Sequence, residues 1–139
     1  MVSIRYLLDT NVLSEPVRPV PNPRVVEKLL AYEDVVATAS PVWHAVLFGY
    51  RRLPPSRRRE SLERYLFDIV RLRPILPYDQ PAAEWHAAER ARLASLGRTP
   101  PYINGQIAAI AAVNGLTLVT ANVADFATFS GLQVEDWRS

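Results

Sequence analysis

Short apolar runs alternate along the chain with longer amphipathic stretches. Residues 4–8 (IRYLL) are mostly apolar and stop at Asp9-Thr10-Asn11, the profile of a buried strand with a polar exit. Thr10 or Asn11 would then cap a short helix reaching Glu15. Pro16, Pro19, Pro21 and Pro23 break the pattern into a loop, and Asn22-Pro23 starts a helix to Tyr32. Residues 35–39 form a second strand, and Ser40-Pro41 is another cap-plus-proline helix start, ended by Pro54-Pro55. Ser56 caps the next helix, with Leu62, Tyr65, Leu66, Ile69 and Val70 on one face at three- and four-residue spacings. Ile75-Leu76 is a short strand between prolines. Residues 80–96 make a long helix closed by Gly97, and residues 102–114 an alanine-rich helix ending at Gly115. Residues 116–120 (LTLVT) are the clearest strand. A short helix over 122–129 and a last strand over 132–134 complete the pattern.

Short buried strands alternating with helices predict βαβ units and a parallel sheet covered on both faces. In such a sheet the working site lies at the carboxyl ends of the strands. That rule selects Asp9 and the 121–125 segment, and each contains an acid. A carboxylate at a strand end is costly to bury without a positive partner. Asp9 could be a helix cap or half of a salt bridge, and Asp125 could belong to a capping box begun by Asn122. Two such acids at strand ends also suit a hard divalent cation, which takes carboxylate oxygens.

Length and composition narrow the class. The 139 residues predict a single domain spanning 1–139, able to bury roughly two-thirds of the surface its unfolded form exposes. With 49% hydrophobic and 22% charged residues the chain is globular rather than disordered. The absence of cysteine excludes disulfides, thiolate metal sites and cysteine catalysis. No apolar run approaches the ~20 residues of a membrane span, and no charged-then-apolar leader opens the chain. These features lead us to expect a soluble, cytoplasmic protein without a membrane partner. Net charge is only +2, but Lys28 is the sole lysine and the other basic residues are arginines. Arginine's planar, permanently charged fork suits phosphate. Five arginines fall in RRLPPSRRR (residues 51–59), either a solvated basic face or a grip on a polyanion.

Other chemistries find no support. His44 and His86 stand alone, without a second histidine at helical spacing, and are expected on the surface or in the core. The five glycines form no phosphate loop, and no Gly-x-Ser-x-Gly elbow occurs.

The segment YLLDTNVLSE (residues 6–15) resembles the opening motif of PIN-domain nucleases, in particular the VapC-type toxins of bacterial toxin–antitoxin pairs. The resemblance continues through PNPRVVEKL, FGYRRLPPSRRR, INGQIAAIAAVNGLTLVT and ANVADF followed by Gly131-Leu132, so it covers essentially the whole chain in order. It implies a PIN-like α/β/α sandwich with a short central parallel sheet. It also implies a toxin that cuts RNA using Mg²⁺ or Mn²⁺ held by three or four acids, a cognate antitoxin as partner, and a homodimer. Asp9 matches the family's first-strand aspartate and Asp125 the aspartate of its N-x-x-D-F segment. The family's glutamate, four residues before the glycine of the F-G pair, falls on Ala45. Its aspartate at the start of the alanine-rich helix falls on Asn104. Thr120 and Asn122 resemble polar residues flanking the family's site, and Arg57, Arg58 and Arg59 become candidate contacts to RNA or antitoxin.

The departures carry physical meaning. Asparagine has the shape of aspartate without its charge, and alanine offers no ligand at all. The site would keep two negative charges of roughly four, and a hard dication is held largely by that charge. The expectation is an endoribonuclease scaffold that is catalytically impaired and binds metal weakly if at all. A non-catalytic RNA- or protein-binding module on the same fold is the alternative.

Overall fold

The computed structural model describes residues 3–139. Five short strands, β1 (Tyr6–Leu8), β2 (Val36–Ala39), β3 (Ile75–Leu76), β4 (Thr117–Val119) and β5 (Val134–Glu135), form one sheet in the order β3-β2-β1-β4-β5. Every pairing is parallel, with Leu7 opposite Ala37 on one side and Leu118 on the other. The residues of β1 and β2 are all buried, as strands covered on both faces must be. The α/β architecture with a central parallel sheet is the one expected.

The helices among the described residues are α1 (Thr10–Leu13), α2 (Pro23–Ala31), α3 (Ser40–Arg52), α4 (Arg57–Asp68), α5 (Gln80–Ser95), α6 (Tyr102–Val113) and α7 (Val123–Phe126). A 3-10 turn at Glu15–Val17 follows α1, and another at Val70–Leu72 follows α4. Asn22, as predicted, caps α2 by accepting from Arg24 N and Val25 N. Ser56 caps α4 through Arg59 N at 3.1 Å. Gly97 and Gly115 follow α5 and α6 with φ of 73° and 67°, the left-handed geometry that stops a helix cheaply at glycine.

Four local expectations are corrected. The cap of α1 is Asp9, not Thr10 or Asn11, because the chain turns helical directly after the strand. Ser40 is likewise already helical, with extended Ala39 before it and no side-chain cap. Ile69 leaves the apolar face of α4 and is half exposed, because α4 ends at Asp68 and the backbone departs from helical geometry at Ile69 (φ −120°, ψ −64°) before the 3-10 turn. The last strand is shifted to Val134–Glu135, since the turn at Gly131 (φ 72°) occupies the residues between.

The core is built from β1, β2 and β4 with the buried face of α6, including Ile107, Ala108 and Ile110. Trp137, beyond the last strand, fills the space beside Tyr6 and Tyr32 at ring distances of 5.2 and 5.6 Å.

Candidate active site

The carboxyl ends of β1 and β4 lie side by side and bring Asp9 to Thr120. Asp9 Oδ1 accepts from Thr10 N at 2.8 Å, and Oδ2 accepts from the Thr120 hydroxyl at 2.8 Å. Thr120 Oγ1 accepts in turn from Asn122 N at 3.0 Å, so the loop after β4 is keyed to the acid. Asn11 adds a second tie, its Oδ1 accepting from Ala121 N at 3.0 Å. Asp9 is 7% exposed and Thr120 fully buried. Asp9 is therefore a helix cap, but among the described residues no basic side chain forms an ion pair with it. The N–H groups of α1 offset part of the cost of burying it, and the rest is uncompensated by charge.

The other candidate positions come from elements packed around this edge. Asp125 is exposed on α7, and Asn122 makes no side-chain cap, so the capping-box alternative is not realised. Asn104 lies in the first turn of α6, half-buried, and α6 packs on both α3 and α7. Ala45 is half-buried on α3 and lines a cavity together with Thr10, the neighbour of Asp9.

That cavity, of about 660 Å³, is an apolar groove between α1, α3 and α4, lined by Leu13, Val46, Leu53, Leu62, Tyr65 and Leu66. Tyr65 donates its hydroxyl to Leu13 O, and burial pushes its pKa up to about 12, so it stays a donor at any physiological pH. Arg57 and Arg58 are exposed, and Arg58 also lines the groove. Arg59 departs from the expectation of a solvated or polyanion-gripping basic run. Its guanidinium carbon lies 4.8 Å from the Tyr50 ring centroid, and its Nε is buried without a hydrogen-bond partner among the described residues. The third residue of α4 rotates onto the face that packs against α3.

The family profile of the PIN domain matches residues 6–131. The chain belongs to the PIN-domain family. Within it, the chain is 38% identical over 126 residues to the toxin FitB of Neisseria gonorrhoeae, covering 86% of this chain and 89% of that one. It is 28% identical to the tRNA(fMet)-specific endonuclease VapC of Shigella flexneri, covering 96% and 98%. The crystal structure of FitAcB from Neisseria gonorrhoeae superposes with a TM-score of 0.84 at 32% identity, covering 95% of this chain and 97% of that one.

The cation site that the PIN resemblance implies can be tested against the donors present. Asp9 and Asp125 are carboxylates, Asn104 offers one neutral carbonyl oxygen, and Ala45 offers nothing. Among the described residues no three His, Asp or Glu side chains come together as a cation would require. This donor set does not fit a tightly held dication. The histidines take the surface and core positions expected of them: His44 is exposed, and His86 is buried with Nδ1 2.7 Å from the Tyr78 hydroxyl.

Sequence reasoning missed two parts of this candidate site. In sequence Asn11 is, with Thr10, one of two candidate caps, whereas its side chain ties together the loops that leave β1 and β4. The available signal was an asparagine inside a short helix, where it is a poor helix former with its own hydrogen-bonding to do. Arg138 donates from Nη2 to Ala121 O at 3.1 Å, buttressing the same loop from the far end of the chain. No local pattern announces that contact.

Proposed function

We propose that this chain is the toxin of a toxin–antitoxin pair, built on a metal-dependent RNA-cleaving PIN scaffold whose own cleavage is held low by Ala45 and Asn104. The observation that carries this reading is the buried Asp9, keyed to Thr120 at the carboxyl edge without a basic partner. A side chain whose only duty was structural would be cheaper as a neutral residue at that position. An RNA substrate is supported by the relative named for cleaving tRNA(fMet), and an antitoxin partner by the toxin relatives together with the apolar groove. An amphipathic segment of the antitoxin would lay its apolar side against Leu62, Leu66 and Val46. In this reading Thr10 N and the Thr120 hydroxyl hold the Asp9 carboxylate in place, and Mg²⁺ or Mn²⁺ would be bound only weakly.

The donor set also favours a second reading, a binding module that retains the PIN fold without cleaving RNA. One experiment separates the two. Mg²⁺ is titrated calorimetrically into this chain and into its Ala45→Glu, Asn104→Asp double variant, and both are assayed for RNA cleavage. The nuclease reading expects the double variant to bind Mg²⁺ at least about tenfold more tightly, because charge count sets affinity, and to cleave RNA. Asp9→Asn in that background should abolish the cleavage. Micromolar Mg²⁺ affinity in the unmodified chain would overturn the weak-binding reading. Absence of cleavage in both forms would leave the binding module.

A further inference from the structure

A second cavity, of about 310 Å³, shares Asn11, Ala121 and Asn122 with the edge that carries Asp9 and Thr120. Arg18 and Arg138 line it together with Glu15 and Asp136, so its formal charges balance. Arg18 Nε lies 3.2 Å from Glu15 Oε2, and the other Glu15 oxygen accepts from Asn22 N at 2.6 Å. Arg138 contacts both Asp136 oxygens from Nε, at 3.1 and 3.2 Å, and one of them again from Nη2 at 2.7 Å. The same Nη2 donates to Ala121 O.

Each guanidinium is therefore held by one edge and has nitrogens to spare. Arg138 Nη1 and both terminal nitrogens of Arg18 donate to no described residue, and each side chain is 52% exposed. Asn11 spends its Oδ1 on Ala121 N, which leaves its amide N–H groups for a ligand. The two carboxylates are occupied in fixing the arginines. What remains is a small cavity rich in charged donors and poor in free acceptors. A phosphate group, with several acceptor oxygens, meets that surplus of N–H donors. A volume near 300 Å³ is at the small end of ligand sites, enough for a single nucleotide unit rather than a large molecule.

We propose that this cavity is a phosphate-binding subsite, taking a phosphodiester of the RNA strand next to the one presented at Asp9. The assignment rests on the RNA reading given above. The wall shared through Asn11 and Asn122 makes the two positions continuous, which an unrelated anion site would not require. A free phosphate has the same chemistry, so the test includes both sources.

Binding of a 2′-O-methyl oligoribonucleotide about ten nucleotides long is measured by fluorescence anisotropy across a salt series, for the unmodified chain and for Arg18→Ala, Arg138→Ala and Arg138→Lys. The analogue cannot be cleaved, so catalytic impairment does not enter. Each alanine variant should lose roughly tenfold in affinity at low salt and about one unit of salt slope. Arg138→Lys, which keeps the charge, should retain the slope. In parallel, inorganic phosphate is titrated while the Nε–H resonances of Arg18 and Arg138 are followed by NMR. RNA binding with all variants unchanged would overturn the subsite and leave the RNA reading intact. Shifts with phosphate but no RNA binding would overturn the assignment to a strand, and the RNA reading with it. No response to either probe would overturn the subsite outright. Arg18 contacts no part of the loop after β4, so Arg18→Ala with an unchanged melting temperature tests the site even if Arg138→Ala fails to fold.

Discussion

At Gly105 a single hydrogen atom decides how α6 sits. A Cβ there would lie 2.1 Å from His86 Nε2 and 2.6 Å from its Cδ2. His86 cannot withdraw easily, because its Nδ1 is bonded to the Tyr78 hydroxyl and its ring lies 4.9 Å from that of Tyr102. Gly105→Ala would gain up to about 1 kcal/mol of helix propensity but would overpack the contact, at a cost of about 1–3 kcal/mol. We expect a lower melting temperature by calorimetry, with the loss largely relieved when His86→Ala is added. A single variant as stable as the parent would show that the histidine moves aside freely. Because Asn104 precedes Gly105, the same contact fixes the first turn of α6 beside the candidate site. The candidate residues divide at this scale by whether a local rule singles them out. Asp9 is legible as an acid where an apolar run stops, and Asn104 and Ala45 stand out only against a family pattern. His86 looks isolated in sequence because its partners, Tyr78, Tyr102 and Gly105, come from outside its own helix.

Among the elements, α4 shows how a charge cluster is divided by helical geometry. RRLPPSRRR reads as one basic patch, yet Arg57 and Arg58 face solvent while Arg59 stacks on Tyr50. Arg57→Ala with Arg58→Ala should flatten the salt dependence of RNA binding by up to about two units with little change in stability. Arg59→Ala should instead lower the melting temperature and leave the slope nearly unchanged. Filter binding across a salt series, paired with thermal melts, separates the two effects. An unchanged slope in the double variant would mean that these arginines do not contact nucleic acid. Element existence was readable from periodicity, proline and glycine, but several boundaries were not. Ser40 and Thr10 look like caps, and only the abrupt passage from strand to helix moves the cap back by one residue or removes it. Ile69 satisfies the spacing of α4, but the helix stops one residue before it and a 3-10 turn takes over.

For the whole molecule, closure depends on contacts between distant parts of the chain. Glu89 on α5 is buried, and Arg92 grips it at 2.8 and 3.0 Å. It also accepts from Ser130 N at 2.7 Å and from the Ser130 hydroxyl at 3.0 Å, while Arg92 reaches Thr128 O at 2.8 Å. This clamp ties α5 to the chain beyond α7, which carries Asp125. The bond from Arg92 holds the Glu89 carboxyl down to about 2, well below its usual value, despite the opposing effect of burial. A depressed carboxylate stabilises the fold above its unfolded pKa, and that contribution is lost as pH falls toward the folded value. The melting temperature of the parent should therefore drop between about pH 4.5 and 2, and Glu89→Gln should show a smaller drop over the same range. Parallel curves would exclude Glu89 as the cause. The parallel sheet was foreseeable from alternating runs, but this clamp was not, since an acid in the middle of a helix reads as solvent-facing until the fold covers it. The bond between Asp9 and Thr120 spans 111 positions of the chain. During synthesis, at roughly 5–20 residues per second, the first half of that pair waits for seconds before the second is made. A chain released early, anywhere before β4, has no assembled edge. The candidate site is therefore assembled only after β4 has been made, long after Asp9 itself.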